Sequence, residues 1–205
     1  ACWRDGSEHI SNDGKIAMVR STDGGRTWGD RQVLGEYPDT DQREWSLAQL
    51  RDGTILGNRW HSPYYDRHGR HFGKARDPMY RGRPAGIAIG RSSDNGHTWT
   101  WSERAVDPAP FKETFSSERI IELDSGRLLM ASYDPAGGAE DGYTVSAAYC
   151  SDDKGYTWRY LSKMADVPGV SLSEPVFIQA RSGRLIAMMR NDTGAEYYQA
   201  LSDDG

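Results

Sequence analysis

Apolar and polar residues partly alternate in short runs along this chain, and the spacing of an amphipathic helix is weak throughout. Four runs, at 15–20, 85–91, 144–150 and 197–201, read as strands. Each leads directly into a polar segment of fixed form. Ser21-Thr22-Asp23-Gly24-Gly25-Arg26-Thr27-Trp28 recurs as Ser92-Ser93-Asp94-Asn95-Gly96-His97-Thr98-Trp99 and again as Ser151-Asp152-Asp153-Lys154-Gly155-Tyr156-Thr157-Trp158. Ser202-Asp203-Asp204-Gly205 opens a further copy. The shared pattern is S-x-D-x-G-x-T-W. Ahead of the last three boxes stands a second motif, a glycine turn between two apolar runs, at 50–56 around Gly53, 123–129 around Gly126 and 180–186 around Gly183. One unit therefore predicts strand A, glycine turn, strand B, loop, strand C, box, strand D.

Four antiparallel strands in a repeat of about 50–70 residues are the sequence form of a β-propeller blade. The predicted fold is all-β, a propeller of four-stranded antiparallel blades. A partial blade 1 covers 1–35, blade 2 about 42–107, blade 3 about 115–165 and a partial blade 4 172–205. About three and a half blades cannot close a ring without strong curvature, so the chain is expected to be an internal piece of one domain in a protein roughly twice as long. The box reads as a structural device. Asp23, Asp94 and Asp153 accept hydrogen bonds from turn amides, glycine permits positive φ, and Trp28, Trp99 and Trp158 are expected to pack between blades.

Composition narrows the function. With 37% hydrophobic residues, 7 Trp and 11 Tyr among 205 residues, disorder is excluded. No apolar run approaches the roughly 20 residues of a membrane helix, so no membrane span is expected. A net charge of -5, from 25 basic and 30 acidic residues, argues against nucleic acid as a partner. Cys2 and Cys150 give no disulfide framework and fall at opposite ends of their blades, so they are not expected to pair. No cofactor or metal is implied, since His61, His68 and His71 match no ligand spacing. The insertion 61–85 carries Arg67, Arg70, Lys74, Arg76, Arg81 and Arg83 against Asp66 and Asp77, a local attraction for an anion inside an acidic chain. The acidic, glycine-rich 134–141 reads as a flexible loop.

Strand direction alternates, so the glycine turns and boxes share one end of the blades and leave the other end free for a ligand. Counting from Gly53, Gly126 and Gly183 places Glu44, Ser117 and Glu174 nine residues before the turn and Trp60, Tyr133 and Arg190 seven after it. All six fall at the free end. In blade 1 the equivalent position is Trp3-Arg4, leading into Asp5, Glu8 and His9. One face is thus expected to gather Arg4, Asp5, Glu8, Glu44, Arg59, Glu174 and Arg190, a set suited to acid–base chemistry on an anionic ligand.

Ser173-Glu174-Pro175-Val176, followed by Ser182-Gly183-Arg184-Leu185 and Met189-Arg190-Asn191, together with the boxes, resembles the sialidase (neuraminidase) superfamily, six-bladed propellers that carry Asp boxes. The resemblance implies an exo-sialidase, a glycoside hydrolase releasing terminal sialic acid from glycoconjugates, with an anionic glycan as partner and a secreted or periplasmic location. It puts Glu174 beside a tyrosine nucleophile, Arg190 among three arginines gripping the substrate carboxylate, and Arg4 facing the ligand. Asp5 takes the acid/base role, with Glu8 as the alternative. The tyrosine and the other two arginines are expected outside 1–205, so this piece alone is not expected to be active. A glycosidase for another sugar, and a non-catalytic Asp-box propeller that binds glycan or protein, are the alternative readings.

Overall fold

The computed structural model describes residues 1–8, 11, 13–35, 40–62, 86–111, 114–116, 118–134 and 143–203. Their strands form four antiparallel sheets, and no helix occurs among the described residues. The first sheet holds β1 (Cys2–Asp5), β2 (Lys15–Met18) and β3 (Gln32–Gly35). The second holds β4 (Asp41–Gln49), β5 (Ile55–Ser62), β6 (Gly86–Ser92) and β7 (Thr100–Ser102). The third holds β8 (Ile121–Glu122), β9 (Leu128–Asp134), β10 (Val145–Ser151) and β11 (Arg159–Ala165). The fourth holds β12 (Leu172–Gln179), β13 (Leu185–Asn191) and β14 (Tyr198–Ser202). In every sheet the spatial order follows the chain order, which is the blade plan that the repeat predicts.

The chain divides into two compact units, Ala1–Trp45 with Arg59–Ala85 and Ser46–Asn58 with Gly86–Gly205. In the first, Ile16, Ala17 and Met18 of β2 are buried. In the second, β10 is buried along its whole length. Its core joins Leu123, Leu129, Ala131, Ala148 and Cys150 to Phe177, Leu185 and Ala187 of the fourth sheet. Cys2 and Cys150 are both free thiols, and burial pushes Cys2 up to about 11.

The glycine turns are alike. Gly53, Gly126 and Gly183 have φ of 88°, 86° and 88°, a region open to glycine and strained for other residues. Each donates its N–H to the carbonyl three residues back, on Leu50, Leu123 or Ala180, at 2.9 Å.

Strand A of the third sheet departs from the predicted length. It was expected to open near Ser117, which lies outside the described residues, yet β8 spans only Ile121–Glu122. Upstream, Phe115 makes an isolated bridge to Tyr133, with backbone bonds of 2.9 Å in both directions. Side chains do the rest: Ser132 donates to the Phe115 carbonyl at 2.9 Å, and Asn58 donates to the Ser116 hydroxyl and the Glu118 carbonyl at 2.8 and 2.9 Å. Backbone groups satisfied this way do not need a continuous ladder.

The three boxes repeat almost atom for atom. Ser21, Ser92 and Ser151 each donate to the box aspartate at 2.7 Å and accept the N–H of Gly25, Gly96 or Gly155 at 2.8 Å. The aspartate accepts the threonine N–H at 2.9 Å and its hydroxyl at 2.5–2.6 Å. The threonine hydrogen bonds hold Asp23 and Asp94 well below the usual carboxylate range. Burial pushes Asp153 up, but the bonds from Thr157 and Ser151 outweigh it and leave the group at about 2.

The tryptophans do not all pack as expected. Trp158 is 2% exposed, and its backbone bonds to Ala105 and Asp107 at 2.7 and 3.1 Å. Trp99 is half-buried and stacks on Trp101 at 6.2 Å. Trp28 is 52% exposed, which corrects its expected packing. What separates them is the flanking segment 105–107, which closes the edge at Trp158.

The aspartates make acid stability predictable. A folded-state value below the unfolded one stabilises fully above about 4, and the stabilisation is lost as pH falls through the folded value. The thermal midpoint should therefore decline between about pH 4 and 2, as read by tryptophan fluorescence. Trp158→Ala should cost about 3–5 kcal/mol, whereas Trp28→Ala should stay within about 0.5 kcal/mol. Equal costs in denaturant titrations would show that the boxes are energetically equivalent.

Candidate active site

In the first unit a buried carboxylate organises the charged residues. Arg4, on β1, donates from Nε to Asp41 Oδ1 at 2.7 Å, from Nη2 to the Ser11 hydroxyl at 2.9 Å and from Nη1 to the Glu8 carbonyl at 2.7 Å. Asp41 is fully buried, and Arg43 approaches its other oxygen at 3.6 Å. Burial raises the Asp41 carboxyl, while Arg4 and then Arg43 pull it down. Two glycines leave room for this packing. A Cβ on Gly14 would collide with the Asp41 carboxylate, and one on Gly35 would collide with the Arg59 guanidinium. Arg59 and His61 of β5 are both buried.

Glu44 lies two positions beyond Arg43's neighbour Gln42 on β4. Its carboxylate takes a hydrogen bond from Arg43 at 3.4 Å, and the Arg43 guanidinium sits 5.2 Å from the centre of the Trp60 ring. Burial raises the Glu44 carboxyl against the opposing pull of Arg43 and the Trp60 indole. Asp5 is the last residue of β1 rather than a loop residue, because it pairs in register with Lys15, and its side chain forms an ion pair with Arg31. The Glu8 side chain is exposed, and its backbone carbonyl is what contacts Arg4. His9 lies outside the described residues. So do 63–85, with Arg67, Arg70, Lys74, Arg76, Arg81, Arg83, Asp66, Asp77, His68 and His71, and the 135–142 part of the glycine-rich loop.

In the second unit the structure brings Glu174 and Arg190 together. Ser173 is the register partner of Arg190, and the ladder between β12 and β13 shifts register between Ser173 and Val176, which is where Glu174 sits. Arg190 Nη1 donates to Glu174 Oε2 at 3.0 Å, and its Nε faces Asp192 Oδ1 at 2.9 Å. Glu174 first, then Asp192, raises the Arg190 guanidinium further. The Asp192 N–H is tied to the Ser171 carbonyl at 2.9 Å. Beside the pair opens a cleft of about 370 Å³ lined by Arg190, Asn191, Asp192, Glu196 and Tyr197, a volume within the range of small-ligand sites.

Glu44 and Glu174 share a backbone feature. Their φ values are 39° and 45°, left-handed for residues that carry a side chain. The other non-glycine residues of this kind among those described, Asn95 and Lys154, belong to box turns. Such strain costs on the order of 1–3 kcal/mol and clusters at functional sites.

Sequence reasoning missed Asp41 and Asp192. Thr40-Asp41-Gln42-Arg43-Glu44 carried a signal, because polar side chains opening a buried strand require partners among themselves or nearby. Asp192 was one residue past the Met189-Arg190-Asn191 stretch.

The family described as the BNR repeat-like domain matches residues 69–205. A sialidase of Micromonospora viridifaciens is 29% identical over 210 residues, which cover 93% of this chain and 30% of that protein. The chain therefore spans less than a third of that relative's length. Among solved structures, the Hadza microbial sialidase Hz136 aligns with a TM-score of 0.72 at 19% identity, over 97% of this chain and 40% of that one. The Penicillium chrysogenum α-L-arabinanase complexed with arabinobiose aligns with a TM-score of 0.60 at 18% identity, over 96% of this chain and 56% of that one. The fold is that of the sialidase propellers.

The two glycines give a direct test of the buried network. Gly14→Ala and Gly35→Ala should each destabilise the protein by about 1–3 kcal/mol through overpacking. Gly29→Ala, where a Cβ would meet only the Arg20 carbonyl at 3.6 Å, is the control and should be near neutral. Chemical denaturation of the three variants checks the order.

Proposed function

The chain belongs to the BNR repeat-like domain family, and from that premise we propose that it is part of a sialidase-like glycoside hydrolase that releases terminal sialic acid from glycoconjugates. Its sheets are taken as blades of a larger, six-bladed propeller, with the remaining arginines and a tyrosine nucleophile supplied outside these residues. The Glu174–Arg190 ion pair at 3.0 Å, on a bulged strand end beside a cleft, carries the reading.

The chemistry follows from the residue types. A guanidinium holds a carboxylate by parallel charge-assisted hydrogen bonds that an ammonium cannot reproduce, which suits Arg190 to an anionic sugar. Glu174 and Asp192 both fix that guanidinium, so little orientation remains to be lost on binding. Sialidases use a tyrosine where most glycosidases use a second carboxylate. A neutral phenol does not set an anion against the substrate carboxylate, and a nearby glutamate can accept its proton. That is the role proposed for Glu174. Arg4 and Arg59 are proposed as further ligand-binding residues, and Asp5 or Glu8 as the source of acid–base assistance. The likeness to an arabinanase supports a second reading, the same hydrolytic fold acting on a neutral sugar.

In the whole protein, Glu174→Gln should lower turnover of a sialoside at least about 100-fold, the scale of acid–base assistance. Arg190→Lys should chiefly raise KM, since it removes binding to the substrate's own anion. Steady-state kinetics on a sialoside and on a neutral arabinoside separate the two sugars. Wild-type behaviour of both variants on every glycoside would make the pair a structural salt bridge and end this reading.

A further inference from the structure

The cleft beside Arg190 is made by the loop that joins β13 to β14, residues 192–197. Local bonds hold that loop in one shape. Asn191 Oδ1 accepts the Thr193 N–H at 2.9 Å and the Thr193 hydroxyl at 2.6 Å, and the Asp192 N–H is tied to the Ser171 carbonyl at 2.9 Å. With Oδ1 taken, the Asn191 amide nitrogen is left to donate into the cleft. A Cβ on Gly194 would come within 2.8 Å of that nitrogen and 3.0 Å of Glu196 Oε2. The missing side chain thus lets an amide donor and a carboxylate acceptor converge over one point. Gly194 lies outside the left-handed region, so what the glycine supplies here is space.

Charge divides the cleft. Its lining sets one guanidinium, Arg190, against the carboxylates of Asp192 and Glu196, and Glu174 and Asp192 already hold two of the guanidinium nitrogens. Beyond Arg190, such a wall repels a further anion but accepts hydrogen bonds from hydroxyls. Tyr197 completes it with an aromatic ring that is 72% exposed. An aromatic face packs well on the C–H face of a sugar ring, while the phenol keeps a polar edge in water. A few convergent polar groups beside an aromatic surface are the make-up of a small-ligand site.

We propose that this loop is the subsite for the neutral sugar to which the terminal acid is attached, an inference that rests on the hydrolase reading above. The chemistry of the substrate sets the direction. In a sialoside the carboxylate and the glycosidic oxygen are bonded to the same carbon. The ring neighbours of that carbon are an ether oxygen and a methylene, and neither carries a hydroxyl. A cleft that starts at the guanidinium holding the carboxylate therefore meets its next hydroxyls on the leaving sugar. Asn191 Nδ2 donates to one hydroxyl, Glu196 accepts from the adjacent one, and the ring lies on Tyr197. The leaving sugar is neutral, because Asp192 and Glu196 oppose a second acid at that place.

The test uses the whole protein and two substrates that differ only in the leaving group, sialyllactose and a methyl sialoside. Wild type should prefer sialyllactose in kcat/KM, and Glu196→Gln should cut that preference about 10-fold, the scale of a hydrogen bond to a charged group. Tyr197→Ala should cut it as well. Gly194→Ala keeps every polar group but crowds Asn191 and Glu196, and it should act in the same direction. All three positions are exposed, so these changes leave the core intact. Lactose alone, titrated calorimetrically, should bind wild type more tightly than Tyr197→Ala. Equal losses on both substrates would overturn the proposal by placing the loop against the terminal sugar. A preference unchanged in all three variants, or absent from wild type, would overturn it too, as would equal lactose binding. A wild-type protein inactive on both sialosides would overturn the hydrolase reading itself, an outcome distinct from an active enzyme indifferent to its leaving sugar.

Discussion

In each box a carboxylate closes on its own turn, taking the N–H and hydroxyl of the threonine four residues on. The two strands that the turn joins are thereby held in register by chemistry contained in eight residues. The glycine turns do the same for the other pair of strands, through a φ that only glycine adopts cheaply. Both devices stand at the same end of the strands. In the fourth sheet the register shift at Glu174 lies at the opposite end of the strands from the glycine turn.

That end differs between the two units. In the second, β12 bulges at Glu174, and the carboxylate emerges half-exposed against Arg190. In the first, the charges are interior. Arg4 and Arg43 converge on the fully buried Asp41, whose charge is tolerable only because two guanidiniums and the Ser11 amide face it. An exposed pair can exchange partners for a ligand at small cost. A buried network is rigid, and breaking one member leaves an uncompensated charge.

The sequence made the strands, the boxes and the glycine turns legible because each is local: a turn's partners lie within a few residues of it. Register counted from the turn glycines also put Glu174 and Arg190 at the same end of one hairpin, since pairing in a hairpin propagates from its turn, although the bulge makes Ser173 the direct partner of Arg190. Asp41 was not legible. Its partner Arg4 lies 37 residues away on a different sheet, a separation no spacing rule reaches. The exposure of Trp28 was hidden for a related reason, because box residues alone do not say which segment covers the ring. The broken strand A of the third sheet depends on Asn58 and Ser132, side chains whose reach across strands no strand pattern reports.

The proposed hydrolase reading requires the strand end around Arg190 to receive the carboxylate of an anionic sugar. The most direct measurement is a crystal structure of the whole protein soaked with a 2,3-dehydro analogue of sialic acid. The sugar carboxylate is expected in hydrogen-bond contact with the Arg190 guanidinium, with Glu174 at the margin of the same pocket. A ligand bound elsewhere, with Arg190 still occupied only by Glu174 and Asp192, would contradict it.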